Sequence, residues 1–250
     1  MGLSISVSDV TKTFQTDTGQ VTAIEEFDFT IESGEIITMV GPTGCGKSTI
    51  LNIVLGVLSP STGKVVVGGR RPYEDFHSFR GEIAAVFQED RLLSWRTATE
   101  NAQLGLEALD TTSSYRTDQV AKWFDMLGLT GYEQARPQEL SGGMRQRVGL
   151  ARAFVIDPEV LLLDEAFGHL DEVTATELRE DFLELVRGGH ARTTTLFITH
   201  DINEALLVGD RVLVSRSPGR LVDSIDVPPS LQDEPELHQQ YRERILSQLR

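Results

Sequence analysis

Nine residues, GPTGCGKST at Gly41–Thr49, carry the most legible chemistry in the chain. They fit the pattern G-x-x-x-x-G-K-[ST]. Gly41, Gly44 and Gly46 let the backbone curl, so that successive N–H groups turn inward around phosphate oxygens. A helix starting at the end of the loop adds its positive terminus. Lys47 can set a full charge against the β- and γ-phosphates of a nucleotide. The hydroxyls of Ser48 and Thr49 follow, and that of Ser48 can ligate Mg²⁺. Cys45 has two readings, a small residue that fits the loop or a thiol made acidic by the helix terminus.

Three further sites sit at the ends of apolar runs. VLLLDEAF (Val160–Phe167) puts four apolar residues before two carboxylates. A buried strand would deliver Asp164 and Glu165 at its carboxyl end, where open α/β sheets bind ligands. Asp164 can hold Mg²⁺, directly or through water, and Glu165 can orient and polarise an attacking water. A helix-capping acidic pair is the plainer alternative. TLFITH ends on His200, which would contact a γ-phosphate or serve as a structural histidine. IAAVFQ ends on Gln88, whose amide oxygen can ligate Mg²⁺ or water. In ELSGGMRQR (139–147), Gly142 and Gly143 open the helical stretch MRQRVGLARAFV. Each glycine would weaken a helix interior by roughly 0.5–1 kcal/mol relative to alanine. They read instead as the helix entrance, with Ser141 at the cap position.

These residues need elements to hold them. EIITMV (Glu35–Val40) precedes the loop as a short apolar strand, and STILNIVLGVL follows it with helical spacing. Strand-like runs recur at Leu3–Val7, Val21–Ile24, Phe27–Ile31, Lys64–Gly69, Ile83–Gln88, Val160–Asp164, Thr195–His200 and Arg211–Ser215. From about Glu89 to Phe154 the texture is helical, and TATELREDFLELVRGG reads as another amphipathic helix. Buried apolar strands alternating with helices predict an α/β parallel sheet, interrupted by a helical insertion. Pro228 and Pro229 mark a boundary before a polar tail. Its weak apolar stripe (Leu237, Tyr241, Ile245, Leu249) predicts a small packing helix.

The bulk composition sets limits. The chain has 250 residues and a formal net charge of −15, from 23 Lys and Arg against 38 Asp and Glu. That acidity argues against a broad electrostatic grip on nucleic acid. One cysteine excludes an intrachain disulfide and agrees with a reducing compartment. The N-terminal stretch lacks an apolar signal core. No window approaches the roughly 18 apolar residues of a membrane span. The expectation is a soluble chain whose partner supplies any membrane part.

The motifs in this order, GPTGCGKST, Gln88, LSGGMRQR, LLLDEAFGHLD and the TH at 199–200, resemble the nucleotide-binding subunit of ABC transporters. The match runs from about residue 3 to 220. The resemblance implies a P-loop NTPase (RecA-like) core with an N-terminal antiparallel β subdomain. An α-helical subdomain inserted at about 89–155 would carry LSGGM. The ATP-binding domain would span 1–225 and leave a short tail at 226–250. Phe14, in VTKTF, would stack on adenine, and Gly41–Thr49 would bind the phosphates of ATP. Gln88 would sense Mg²⁺ and couple to a membrane subunit. Asp164 would serve the metal, Glu165 catalysis and His200 the γ-phosphate. Leu170 and Asp171 would form a short loop crossing to the opposite subunit.

VFQEDRLLSWRTATENAQLGLE (86–107), DEAFGHLD and SPGRLVDSIDV (Ser217–Val227) are similar to importers of the nitrate, sulfonate and taurine type. The chain departs from that pattern at Ser94 and Ala166, where proline is usual, at His169, where alanine is usual, and at Met144, where many relatives have glutamine. None of these removes a catalytic group. The resemblance implies an ATPase that powers translocation. An exporter, a lipid-extraction complex or a soluble non-transport ATPase of the same family are the alternatives. A lone cradle leaves one side of the γ-phosphate open. Two copies head to tail would close two sites, with Ser141, Gly142, Gly143 and Met144 of one chain facing the ATP of the other. The implied partners are a second ATP-binding subunit, a membrane permease and an extracytoplasmic solute-binding protein. The implied location is the cytoplasmic face of the inner membrane. Leu92, Leu93 and Trp95 would line the groove for the permease or belong to the subdomain core.

Overall fold

The structure, a computed structural model, describes residues 2–17, 19–168, 172–188 and 193–249. The chain divides into two compact units, Met1–Phe79 with Ala191–Arg250, and Arg80–His190.

It begins in the first unit with β1 (Ile5–Thr16), β2 (Gly19–Ile31), β3 (Ile36–Val40), α1 (Lys47–Val54) and β4 (Thr62–Val67). It crosses to the second unit for β5 (Ile83–Val86), α2 (Ala98–Ala102), α3 (Leu104–Ala108), α4 (Ser113–Met126), α5 (Gly142–Phe154), β6 (Val160–Asp164) and α6 (Glu172–Gly188). It returns through β7 (Thr194–Thr199), α7 (Ile202–Val208), β8 (Arg211–Arg216), β9 (Arg220–Asp226) and α8 (Pro235–Leu249).

In the first unit, β1 lies between β2 and β4 in an antiparallel sheet, with Ile5 opposite Ile31 on one side and Val67 on the other. This is the N-terminal β piece. The neighbouring sheet places β3 between β7 and β8, both parallel to it, with Thr38 beside Phe197 and Val212. Every residue of β3 and β7 is buried. Strands covered on both faces need side chains that bury well at every position, which is why these segments read as continuous apolar runs. β9 extends the sheet antiparallel to β8. No apolar pattern in the sequence marks this strand, because its more sheltered face carries Leu221, Asp223 and Ile225 and only Ile225 is buried.

Helix α1 stops at Val54, short of its apolar spacing. Gly56 turns to φ +81, and a Cβ there would press into the backbone of Pro72. The polar tail forms α8, whose Ile245 is buried in a cluster with Val40, Leu206, Val214 and Leu231. Leu237, Tyr241 and Leu249 pack against that cluster.

In the second unit, β5 and β6 pair in parallel, with Ile83 beside Val160 and Val86 beside Leu163. Helix α5 packs on β5, α2, α4 and α6. Its buried face includes Val148, Leu150, Ala151 and Phe154. Phe154 stacks on Trp123 at 5.2 Å between centroids and meets Phe182 at 6.5 Å. The helices therefore form one apolar layer that sets the position of Gly142.

Candidate nucleotide site

The first unit holds the cradle. β3 ends at Val40, and the loop from Gly41 leads into α1. Gly44 and Gly46 take φ +81 and +88, values that only glycine adopts without strain. Gly46 is the helix cap and has no side chain with which to satisfy the first-turn N–H groups of α1. Those donors suit an anion. Gly41 is constrained from the other side. A Cβ there would come within 2.5 Å of the Ser215 carbonyl oxygen and 2.6 Å of the Cys45 sulfur.

Lys47 is 6% exposed, and its ammonium donates to the carbonyl oxygens of Gly41 at 2.7 Å and Pro42 at 3.1 Å. Pro42, Thr43, Gly44 and Ser48 are exposed, and Thr49 is half-buried. Cys45 is completely buried. Its N–H donates to Pro42 and its carbonyl accepts from the Ser215 hydroxyl at 3.2 Å. Of the two readings of this residue, the burial favours a small side chain that fits.

His200 follows β7 and is exposed. The backbone on either side of it is fixed. The Thr199 hydroxyl donates to the buried carboxylate of Glu204 and accepts from the Asp201 N–H at 3.0 Å. Asp201 caps α7 by accepting from the N–H groups of Asn203 and Glu204. Phe14 on β1 is 38% exposed. The Lys12 ammonium lies 5.1 Å from its ring centroid and donates to the Ser59 carbonyl at 2.8 Å.

The second unit holds the carboxylates. The parallel pairing of β5 with β6 brings their carboxyl ends together. Gln88 and Glu165 consequently meet although 77 positions separate them, the Gln88 amide donating to a Glu165 carboxylate oxygen at 3.4 Å. Asp164 is the last residue of β6 and is half-buried. Glu165 takes φ +49, and the turn after it closes through the Gly168 N–H to the Glu165 carbonyl at 3.1 Å.

Ser141 caps α5, its hydroxyl accepting from the Met144 N–H at 3.2 Å. In this structure the hydroxyl serves its own helix. A Cβ on Gly143 would lie 2.5 Å from a methyl carbon of Thr174 on α6. This glycine therefore has a packing reason inside the chain that its sequence context does not show. Gly142 is exposed and Met144 half-buried. Leu92 and Leu93 are half-buried, and Trp95 is 68% exposed. His169, Leu170 and Asp171 lie outside the described residues.

Several contacts in the second unit have no local signature in the sequence. Arg145 on α5 pairs with Asp90 at 2.9 Å, two residues past Gln88. Arg152 donates to the carbonyl oxygens of Asp90 and Arg91. Burial pulls the Arg152 guanidinium below its ordinary pKa, and Asp90 acts in the opposite direction. Gln146, also on α5, is buried and donates to the Ala166 carbonyl at 2.5 Å. The only sequence signal for it was a polar residue in the apolar stripe of a helix.

A phosphate loop between strand and helix, paired carboxylates at a strand end and a glycine-opened helix define an ATP-binding cassette. A sequence model described as ABC transporter matches residues 24–168, and the chain belongs to that family. It is an ATPase of the ABC type. The chain is 37% identical over 249 residues to an aliphatic sulfonates import ATP-binding protein (SsuB) of Bacillus cereus, a match covering 98% of this chain and 96% of that protein. It is 43% identical over 207 residues to a nitrate import ATP-binding protein (NrtD) of Synechococcus elongatus, covering 82% and 73%. Among solved structures it resembles the dimeric, post-hydrolysis state of the ATP-binding cassette MJ0796 bound to ADP and Pi. That match has a TM-score of 0.79 and 27% identity, and covers 90% of this chain and 99% of that one.

Proposed function

We propose that the chain is the ATP-hydrolysing subunit of an importer for small oxyanions or organosulfonates. It would work as a pair of copies docked on a membrane permease. The observation that carries the hydrolytic reading is the contact of Gln88 with Glu165 at the ends of two parallel strands. In this reading the contact would hold one carboxylate ready to polarise a water. The import reading rests on similarity to two import subunits.

Each residue has a separate task. Lys47 and the amides of Gly41–Thr49 bind and orient the phosphates. Phe14 offers a ring for the base. Glu165 takes a proton from the attacking water, and His200 stabilises charge on the γ-phosphate. The donors expected to hold Mg²⁺ are the Ser48 hydroxyl, the Gln88 amide oxygen and the Asp164 carboxylate. All three are hard oxygen donors and fit that cation. Gln88 turns its amide nitrogen, not its oxygen, on Glu165. Among the described residues no group of three or more His, Cys, Asp or Glu could hold a metal. When bound, Mg²⁺ neutralises charge on the phosphates.

Ser141, Gly142, Gly143 and Met144 would face the nucleotide of the second copy, and Asp171 would cross to it. The similarity to a dimeric cassette supports this arrangement. Among the described residues no helix is long and apolar enough to cross a membrane, so the permease would supply the membrane part. The chain would then sit at the cytoplasmic face, peripheral to the inner membrane, with a solute-binding protein on the far side.

Two variants test the reading. Glu165→Gln should bind ATP, form a stable dimer and lose turnover by about 10²–10⁴-fold, the range a general base supplies. Full turnover would remove Glu165 from this role. Ser141→Arg should abolish hydrolysis and leave ATP binding by the monomer nearly intact. Loss of both together would count against a shared site.

A further inference from the structure

Glu165 is held in an unusual backbone state. A non-glycine residue at positive φ stays there only when its surroundings over-determine it. Anchors on either side of this turn include two hydrogen bonds among the described residues. The Gly168 N–H donates to the Glu165 carbonyl, and the Gln146 amide donates to the carbonyl of the next residue, Ala166, at 2.5 Å. Gln146 and Ala166 are 5% and 3% exposed, so water does not compete for this bond. Ala166 also lacks the ring that would fix φ if proline stood there. Gln88, Gly142, Gln146 and Ala166 line one cleft of about 420 Å³.

From this geometry we infer that Gln146 is a positioning residue for Glu165. Its amide holds the Ala166–Phe167 peptide, one residue beyond Glu165, and through Ala166 sets the direction of the Glu165 carboxylate toward Gln88. Helix α5 carries Gln146 five residues after Ser141, so the helix whose entrance would meet nucleotide also holds the backbone of the base. Gln146 touches no reacting atom and acts through Glu165. A buried polar side chain on an otherwise apolar helix face is retained only with a partner, and here the partner adjoins the catalytic carboxylate. The inference rests on the proposed role of Glu165.

The test is a double-mutant cycle on the full chain. Hydrolysis is followed as single-turnover phosphate release, so that slow rates can be read. Gln146→Met keeps the length and shape of the side chain and removes the donor. It should lower the hydrolysis rate at least tenfold and leave ATP affinity within twofold. Gln146→His, which keeps an N–H at similar reach, should recover most of the rate. In a Glu165→Gln background, Gln146→Met should cause no further loss. A Gln146→Met rate within twofold of the parent overturns the proposal. So does an equal proportional loss in the Glu165→Gln background, which would show that Gln146 acts elsewhere. Full turnover by Glu165→Gln alone would instead remove the base, a failure visible before Gln146 is touched. If Gln146→Met does not fold, Gln146→Asn, whose amide falls one methylene short, takes its place in the cycle.

Discussion

Gly143 is claimed by two constraints, and Gly143→Ala separates them. One is internal, since the new Cβ would lie 2.5 Å from the Thr174 methyl carbon. The other is the proposed approach of a phosphate to the entrance of α5. Overpacking of this kind costs about 1–3 kcal/mol. Alanine returns up to about 1 kcal/mol of helix propensity, and less in the first turn. With roughly 0.5 kcal/mol returned in the first turn, the net loss is about 0.5–2.5 kcal/mol, or a Tm fall of roughly 1–10 °C for a chain of this size. Thermal melting followed by circular dichroism measures it. Adding Thr174→Ser deletes the opposing methyl, so the double variant should regain the lost stability. Turnover should remain low in both variants, because the alanine would still hold a phosphate away from the helix amides. A Gly143→Ala chain with a raised Tm would show that propensity outweighs the contact and refute the packing argument. A double variant with full ATPase activity would refute the phosphate argument and leave Thr174 as the whole reason for the glycine.

Two other outcomes follow from single groups. Lys47→Met removes a buried ammonium that bonds two loop carbonyls. ATP affinity, measured by titration with a fluorescent analogue, should fall about 10–100-fold, since hydrogen bonds to charged groups contribute about 1.5–3 kcal/mol. Asp181 on α6 has its pKa raised above 3.8 by burial, against the lowering effect of Arg147. The folded state therefore holds this proton more tightly than the unfolded chain does. The contribution is present below the unfolded value and is lost as pH rises through the raised one. Asp181→Asn should flatten that part of the stability profile, measured by urea unfolding from about pH 3.8 upward. An unchanged slope would contradict the shift.

Most of the fold and half of the site were legible in local pattern. The cradle declares itself because glycine spacing, a preceding apolar strand and a following helix all lie within some twenty residues. Asp164, Glu165 and His200 were legible because each ends a run of buried residues, and both faces of those strands are covered. The edge strand β9 was not legible, because its more sheltered face carries Leu221, Asp223 and Ile225, so a charged residue breaks the apolar alternation.

Pairing across long separations was decided elsewhere. The meeting of Gln88 with Glu165 depends on the register of β5 against β6, and no residue near either one encodes it. The grip of Gln146 on the Ala166 carbonyl and the pairing of Arg145 with Asp90 are likewise settled by how α5 packs. Cys45 shows the same division. Its place in the loop was plain from sequence, but the direction of its side chain, into the core and beside Gly41, came only from the fold. The sequence by itself determined which groups can bind phosphate and move a proton, because that follows from side-chain chemistry and nearest-neighbour backbone freedom. The tertiary structure decided which of those groups touch, because contact distances are set by strand register and helix packing over the whole chain.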